Sequence, residues 1–122
     1  MVEPSPHKRG GAPMSSAFVG VDVGTGSARA AVFDLTGRLL GEACADIQMR
    51  TPKAEHFEQS SEDIWRACCH AVRTVVAAVS GTVEVAGLAF DATCSLAVLG
   101  DDDRPLAVGA DLPDESDGQV PR

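Results

Sequence analysis

Residues 18–34, FVGVDVGTGSARAAVFD, constrain the fold more than any other part of the chain. Residues 18–23 form an almost continuous apolar run, the pattern of a strand covered on both faces. Residues 29–34 form a second one. Between them lie Gly24, Thr25, Gly26 and Ser27, so the stretch reads as a hairpin closed by a small, hydroxyl-rich turn. Glycine has no Cβ, so backbone N–H groups there approach a ligand closely and positive φ costs little. With two hydroxyls added, the turn is a cradle for phosphate oxygens. Asp22, ending the first strand, is placed to hold hydrated Mg²⁺ beside those phosphates, since hard cations prefer carboxylate and water. Arg29 adds a fixed positive charge. Turns rich in Gly, Thr and Ser also close ordinary hairpins. Position favours phosphate binding here, because the acid follows one apolar strand and the arginine opens the next.

Downstream, DLTG at residues 34–37 has Asp at the first and Gly at the fourth position of a type I turn. Residues 38–47 then supply a third strand, which makes a three-stranded antiparallel meander. Residues 48–58 read as a loop around Thr51, Pro52 and Lys53. Ser60 is the expected N-cap of a helix, with Asp63 in a variant capping box and two acids in the first turn. Trp65, Cys68, Cys69, Val72, Val75, Val76 and Val79 recur at spacings of three and four, one apolar stripe in which Trp65 is the expected core anchor. His70 beside it is given no role. Gly81 ends the helix.

Residues 83–90 predict a strand that ends in Asp91. A helix between two strands implies a parallel crossover, which sets this strand beside the first. Asp22 and Asp91 then share the carboxyl end of neighbouring strands, where open α/β sheets bind ligands. The polar atoms of DATCS at 91–95 suit a polyhydroxylated ligand; the alternative is a polar strand end with a buried Cys94. Residues 94–99 are expected to return as a strand, with a turn leading to residues 106–108. Asp101, Asp102 and Asp103 read as a solvated loop.

Residues 1–16, with Pro, Ser and Gly and no periodicity, read as a disordered leader, and Met14 competes with Met1 as the start. Residues 109–122 read as a disordered acidic tail. The intervening stretch of about 92 residues is enough for a modest core. A net charge of −8 argues against nucleic-acid and anionic-membrane binding. No run is long enough to span a membrane, and Gly10, Gly11 and Pro13 stand where a signal core would be, so a cytoplasmic protein is expected. Cys44, Cys68, Cys69 and Cys94 form no Cys-x-x-Cys pair and are expected to be reduced, mostly buried thiols.

Three segments together resemble one family. GVDVGTGSARAAVFD (20–34) looks like the first phosphate motif of the FGGY carbohydrate kinases, which share the actin/hexokinase/Hsp70 ATPase fold. HFEQSSEDIW (56–65) is similar to the segment that opens that family's first long helix. GLAFDATCSL (87–96) resembles the sugar-side strand of its pentulose kinase branch, ribulokinases included. The resemblance covers residues 17–108, a partial FGGY N-terminal domain. It implies an α/β, ribonuclease H-like (actin-like ATPase) fold with a mixed sheet: a meander, a helix crossover, a parallel strand and a further hairpin.

The same resemblance implies ATP-dependent transfer of a phosphoryl group to a pentulose such as ribulose, with Mg²⁺. Gly24, Thr25, Gly26 and Ser27 would contact nucleotide phosphates, supported by Arg29, and Asp22 would orient hydrated Mg²⁺. Asp91, Ala92, Thr93 and Cys94 would line the sugar pocket. Positioning and charge stabilisation are what phosphoryl transfer mainly requires. The family's Trp-x-Asp-x-Arg segment has no match in DESDGQVPR (114–122), and its general-base Asp and second domain lie further on than this chain reaches. The expectation is a truncated, frameshifted or fragmentary kinase, weakly active or inactive alone and prone to self-association through uncovered sheet edges. Another actin-fold ATPase, or a non-catalytic binding or regulatory module, is the competing reading.

Overall fold

A computed structural model describes residues 14–51, 54, 55, 57–93, 97 and 99–104. The expected tail over 109–122, the strand over 106–108, most of the return strand over 94–99 and all but the end of the expected leader lie outside these residues. Among these residues six strands and one helix follow in order: β1 (Ser15–Val23), β2 (Ser27–Asp34), β3 (Leu39–Asp46), β4 (Met49–Arg50), β5 (Glu58–Gln59), α1 (Ser61–Val79) and β6 (Val83–Ala92). The first strand thus begins two residues inside the stretch expected to be leader.

The main sheet has the order β3-β2-β1-β6. β1, β2 and β3 form the antiparallel meander, and β6 pairs parallel with β1 after the α1 crossover. The expected loop over 48–58 instead contains a two-stranded ladder of β4 and β5, with Met49 opposite Gln59 and Arg50 opposite Glu58.

α1 starts where Ser60 caps it, the Ser60 Oγ accepting the Asp63 N–H at 3.2 Å. The Asp63 carboxylate accepts the Gln48 N–H at 2.7 Å and so ties the helix start to the end of the meander. Gly81, at φ +79°, turns the chain out of the helix.

The helix packs on β2 and β3, reaches β1 less, and scarcely touches β6. Its buried residues are Ala67, Cys68, Ala71, Val75 and Val79, packed with Ala17, Val19, Val21, Ala28, Ala30 and Val32. Val19, Val32 and Val75 are fully buried, each contributing about 1.5–3 kcal/mol through removal from water.

Trp65 is not the anchor of this core: it is 60% exposed. Alanines at 67 and 71 form the line of closest approach to the sheet, which leaves the Trp65 side of the stripe on the helix flank. The cysteines also depart from expectation. Cys68 is buried and its thiol is pushed up by burial and by neighbouring Cys69, but Cys69 is half-buried and Cys44 exposed. Cys94 lies outside the described residues.

Nor is β1 covered on both faces. Its burial alternates, with Ala17, Val19 and Val21 under α1 and Phe18, Gly20 and Asp22 on the open side. No helix among the described residues is long and apolar enough to cross a membrane.

Candidate functional site

The parallel pairing of β1 with β6 builds the site. Asp22 stands opposite Asp91, and Val23 opposite Ala92, at the end of both strands. The ladder continues one step further, because the Thr93 N–H donates to the Val23 carbonyl at 3.0 Å.

A bulge sets this alignment. Ala17 pairs with Val85 but Phe18 pairs with Gly87, so Ala86 is an extra residue in β6. A one-residue slip moves every later side chain to the other face. Without the bulge, Asp91 would fall on the helix face; with it, Asp91 shares the open face with Asp22. Gly87 also lets the Phe18 ring lie close to β6, since a Cβ there would sit 3.2 Å from Phe18 Cδ1.

On β1's other side, Asp22 is in register with Arg29 of β2. Arg29 Nη1 lies 3.6 Å from Asp22 Oδ2, both side chains being mostly exposed. Such a pair in water is worth little to stability, so either group is available to a ligand. Asp91 and Ala92 do not form one wall: Asp91 lies on the open face, while Ala92, opposite Val23, lies on the helix face. Thr93 is half-buried, and Cys94 is outside the described residues.

The turn between β1 and β2 is closed by the Gly24 N–H donating to the Ser27 carbonyl at 2.9 Å. A Cβ on Gly24 would come within 3.3 Å of that same oxygen, so Gly24 serves the close approach across the turn. Neither Gly24 nor Gly26 has positive φ; among described glycines only Gly37 and Gly81 do. Gly24 therefore has a steric role in place of the expected conformational one, and Gly26, with no positive φ and nothing within 4 Å of an added Cβ, has neither.

Two outside groups brace the turn. Ile47 N–H donates to the Gly26 carbonyl at 2.9 Å, and Gln59 Nε2 donates to the Thr25 carbonyl. The hydroxyls of Thr25 and Ser27 make no hydrogen bond among the described residues. Gln59 belongs to the HFEQSSEDIW segment that carries the resemblance, but its contact with the turn was not legible there, because its partner is 34 residues away.

A broad depression of about 880 Å³ lies on the open face of the sheet. Asp22, Arg29 and Asp91 form its polar end, while Gly20, Ala31, Phe33 and Ala89 form an apolar floor. A sugar's hydroxyls match the first set; the second is a packing surface. No group of three His, Cys, Asp or Glu side chains that could hold a metal directly occurs among the described residues. Asp22, exposed and at the strand end, fits a cation reached through water, with phosphate oxygens completing its shell.

Comparison with known proteins points one way. The family described as FGGY carbohydrate kinases, N-terminal domain, matches residues 17–108. A human FGGY carbohydrate kinase domain-containing protein is 52% identical over 91 residues, which is 75% of this chain and 16% of that protein. A D-ribulokinase of Saccharomyces cerevisiae is 46% identical over 102 residues, 82% of this chain and 14% of its own length.

Among solved structures, a gluconate kinase from Lactobacillus acidophilus matches with a TM-score of 0.68 at 21% identity, over 73% of this chain and 18% of that one. A xylulose kinase from the same organism gives 0.67 at 21% identity, over 72% and 18%. These likenesses bear out the fold that the resemblance implies, an actin-like ATPase fold with a mixed sheet. The chain spans roughly one-sixth of the length of these relatives.

Proposed function

The chain belongs to the FGGY family of carbohydrate kinases, and from that premise we propose that it supplies the phosphate-binding and sugar-facing edge of an ATP-dependent kinase acting on a pentulose such as ribulose. One observation carries the reading: the parallel register puts Asp91 opposite Asp22, on one face, beside a turn with two unengaged hydroxyls. In this arrangement residues 24–27 hold nucleotide phosphates through N–H and hydroxyl donors. Arg29 balances phosphate charge, exchanging its pairing with Asp22 for one with the ligand. Asp22 holds hydrated Mg²⁺ through water, and Asp91 accepts hydrogen bonds from sugar hydroxyls, with Thr93 and Cys94 following it on the chain and Ala92 turned to the other face of the sheet. Mg·ATP, when bound, supplies the transferable phosphoryl group and screens its charge. The choice of a pentulose rests on the identity to the yeast D-ribulokinase and on the DATC sequence at 91–94.

Isotope-edited NMR on the 122-residue chain tests this. Mg·ATP is expected to shift the amides of residues 24–27, and ribulose those near Asp91. Asp91→Ala should abolish the ribulose response and keep the nucleotide response. A nucleotide response that maps elsewhere, with residues 24–27 silent, defeats the reading. In a coupled assay the 122-residue chain is expected to turn over ribulose weakly or not at all, because it spans only about one-sixth of the length of its kinase relatives. Turnover at an ordinary kinase rate of about 1–100 per second would contradict that.

Two further proposals accompany this one. A cytoplasmic setting fits the free thiols of Cys44, Cys68 and Cys69. Self-association through β6 fits its position at the sheet edge among the described residues and the exposure of Leu88 and Phe90, which face the helix side without being covered by α1. Light scattering is expected to show oligomers; a sharp monomer peak would remove this proposal alone.

A further inference from the structure

We propose that Gln59 is a positioning residue for the turn at 24–27, an inference that rests on the phosphate-binding reading above. Gln59 ends β5 and immediately precedes the N-cap Ser60. It is 7% exposed, and its backbone is fixed by pairing with Met49. Ser60 in turn accepts the Ile64 N–H at 3.0 Å, so the residue is anchored to the start of a helix that is itself packed on β2 and β3. From this rigid base, Nε2 donates to the Thr25 carbonyl.

The consequence follows from the peptide plane. The described peptides are all trans, and in a trans peptide the C=O of one residue and the N–H of the next point in opposite directions. Holding the Thr25 carbonyl toward buried Gln59 therefore aims the Gly26 N–H away from the interior. Ile47 does the same for the next plane: its N–H holds the Gly26 carbonyl at 2.9 Å and aims the Ser27 N–H away from itself. Two consecutive donors are thus fixed in direction before any anion arrives, which lowers the ordering cost of binding.

A neutral amide suits this task. It donates without placing a carboxylate beside phosphates, and it is short enough to stay ordered where a lysine would not. The Gln59 amide touches no ligand in this arrangement; it acts through the backbone of Thr25.

Titration of the isotope-labelled 122-residue chain with inorganic tripolyphosphate tests the role. In the unaltered chain the Gly26 and Ser27 amides are expected to shift saturably. Gln59→Met, of similar length but without a donor, should weaken the affinity about tenfold, the worth of one such hydrogen bond. The amides of residues 34–38, which Gln59 does not touch, should stay in place.

Gln59→Glu supplies a readout that a merely structural link would not move. Its ionised carboxylate cannot donate, whereas its protonated form can. Its affinity relative to the unaltered chain at the same pH should therefore recover as pH falls from about 8 to about 5, with burial raising the midpoint. Should Gln59→Met not fold, this pH profile alone decides the matter. If the unaltered chain binds through residues 24–27 and both variants bind as well at every pH, the role of Gln59 is overturned and the phosphate turn stands. If residues 24–27 of the unaltered chain do not respond at all, the phosphate-binding reading fails first, and this inference with it.

Discussion

The two turns of the meander are built from similar residues and do opposite things with them. The turn at 34–38 is closed on itself. Asp34 Oδ1 accepts the Thr36 hydroxyl at 2.6 Å, the Thr36 N–H at 2.8 Å and the Arg38 N–H at 3.1 Å. Gly37 adopts φ +82° and donates to the Asp34 carbonyl at 3.0 Å. Nearly every polar atom it has is spent locally, as in an ordinary Asx turn. The turn at 24–27 makes one local bond, from the Gly24 N–H to the Ser27 carbonyl, and spends its two central carbonyls on distant partners, Gln59 and Ile47. Its hydroxyls stay unengaged among the described residues. A turn that satisfies itself has only a structural task. One held from behind keeps its donors for something else, and that difference locates the site better than the presence of Gly, Thr or Ser.

The largest expected effect separates the glycines of the two turns. Gly37→Ala forces an L side chain into the left-handed region and should destabilise by about 1–2 kcal/mol. Gly26 has no positive φ, and a Cβ there would meet nothing within 4 Å. Gly26→Ala should therefore be neutral or stabilising by about 0.4–1 kcal/mol, because alanine has less unfolded-state freedom to lose. Denaturant unfolding of the two variants gives the comparison directly. Equal losses at both positions would mean that the turn at 24–27 is as conformationally demanding as the other, and the contrast drawn here would be gone.

Much of this was legible in the letters. The hairpin, the type I turn, the Ser60 cap and the parallel return of β6 beside β1 follow from local chemistry: small residues at a reversal, an Asx acceptor, a capping hydroxyl, a helix between strands. Three features were not. The periodic stripe on α1 includes Trp65, but periodicity gives a face without its centre, and the buried alanines at 67 and 71 mark where the sheet touches. Apolar continuity in residues 18–23 suggested cover on both faces, while only the side under α1 is covered. The bulge at Ala86 and the Gln59 brace depend on partners across the sheet or 34 residues away. No local pattern encodes them, though together they set the face on which Asp91 lies and the direction of the turn's donors.

The smallest expected effect is one of pH, and it sharpens the contrast without altering a side chain. The Asp34 carboxyl is held below its ordinary value of 3.8, chiefly by the Thr36 hydroxyl and then by the Arg38 amide. A lowered value in the folded state means that the unfolded chain takes up the proton more readily. The contribution of this turn is therefore complete above the ordinary value and is lost as pH falls through the lowered one. The group is exposed, so the change in overall stability will be slight and partly screened. It is best seen locally, by following amide shifts through acid titration. The Thr36 and Arg38 amides should move together with a midpoint below 3.8. The amides of residues 24–27, which donate to no carboxylate among the described residues, should move less over the same range. A Thr36 midpoint at the ordinary value would show that the Asp34 bonds do not persist in solution. The first turn would then no longer be the self-satisfied standard against which the second is judged.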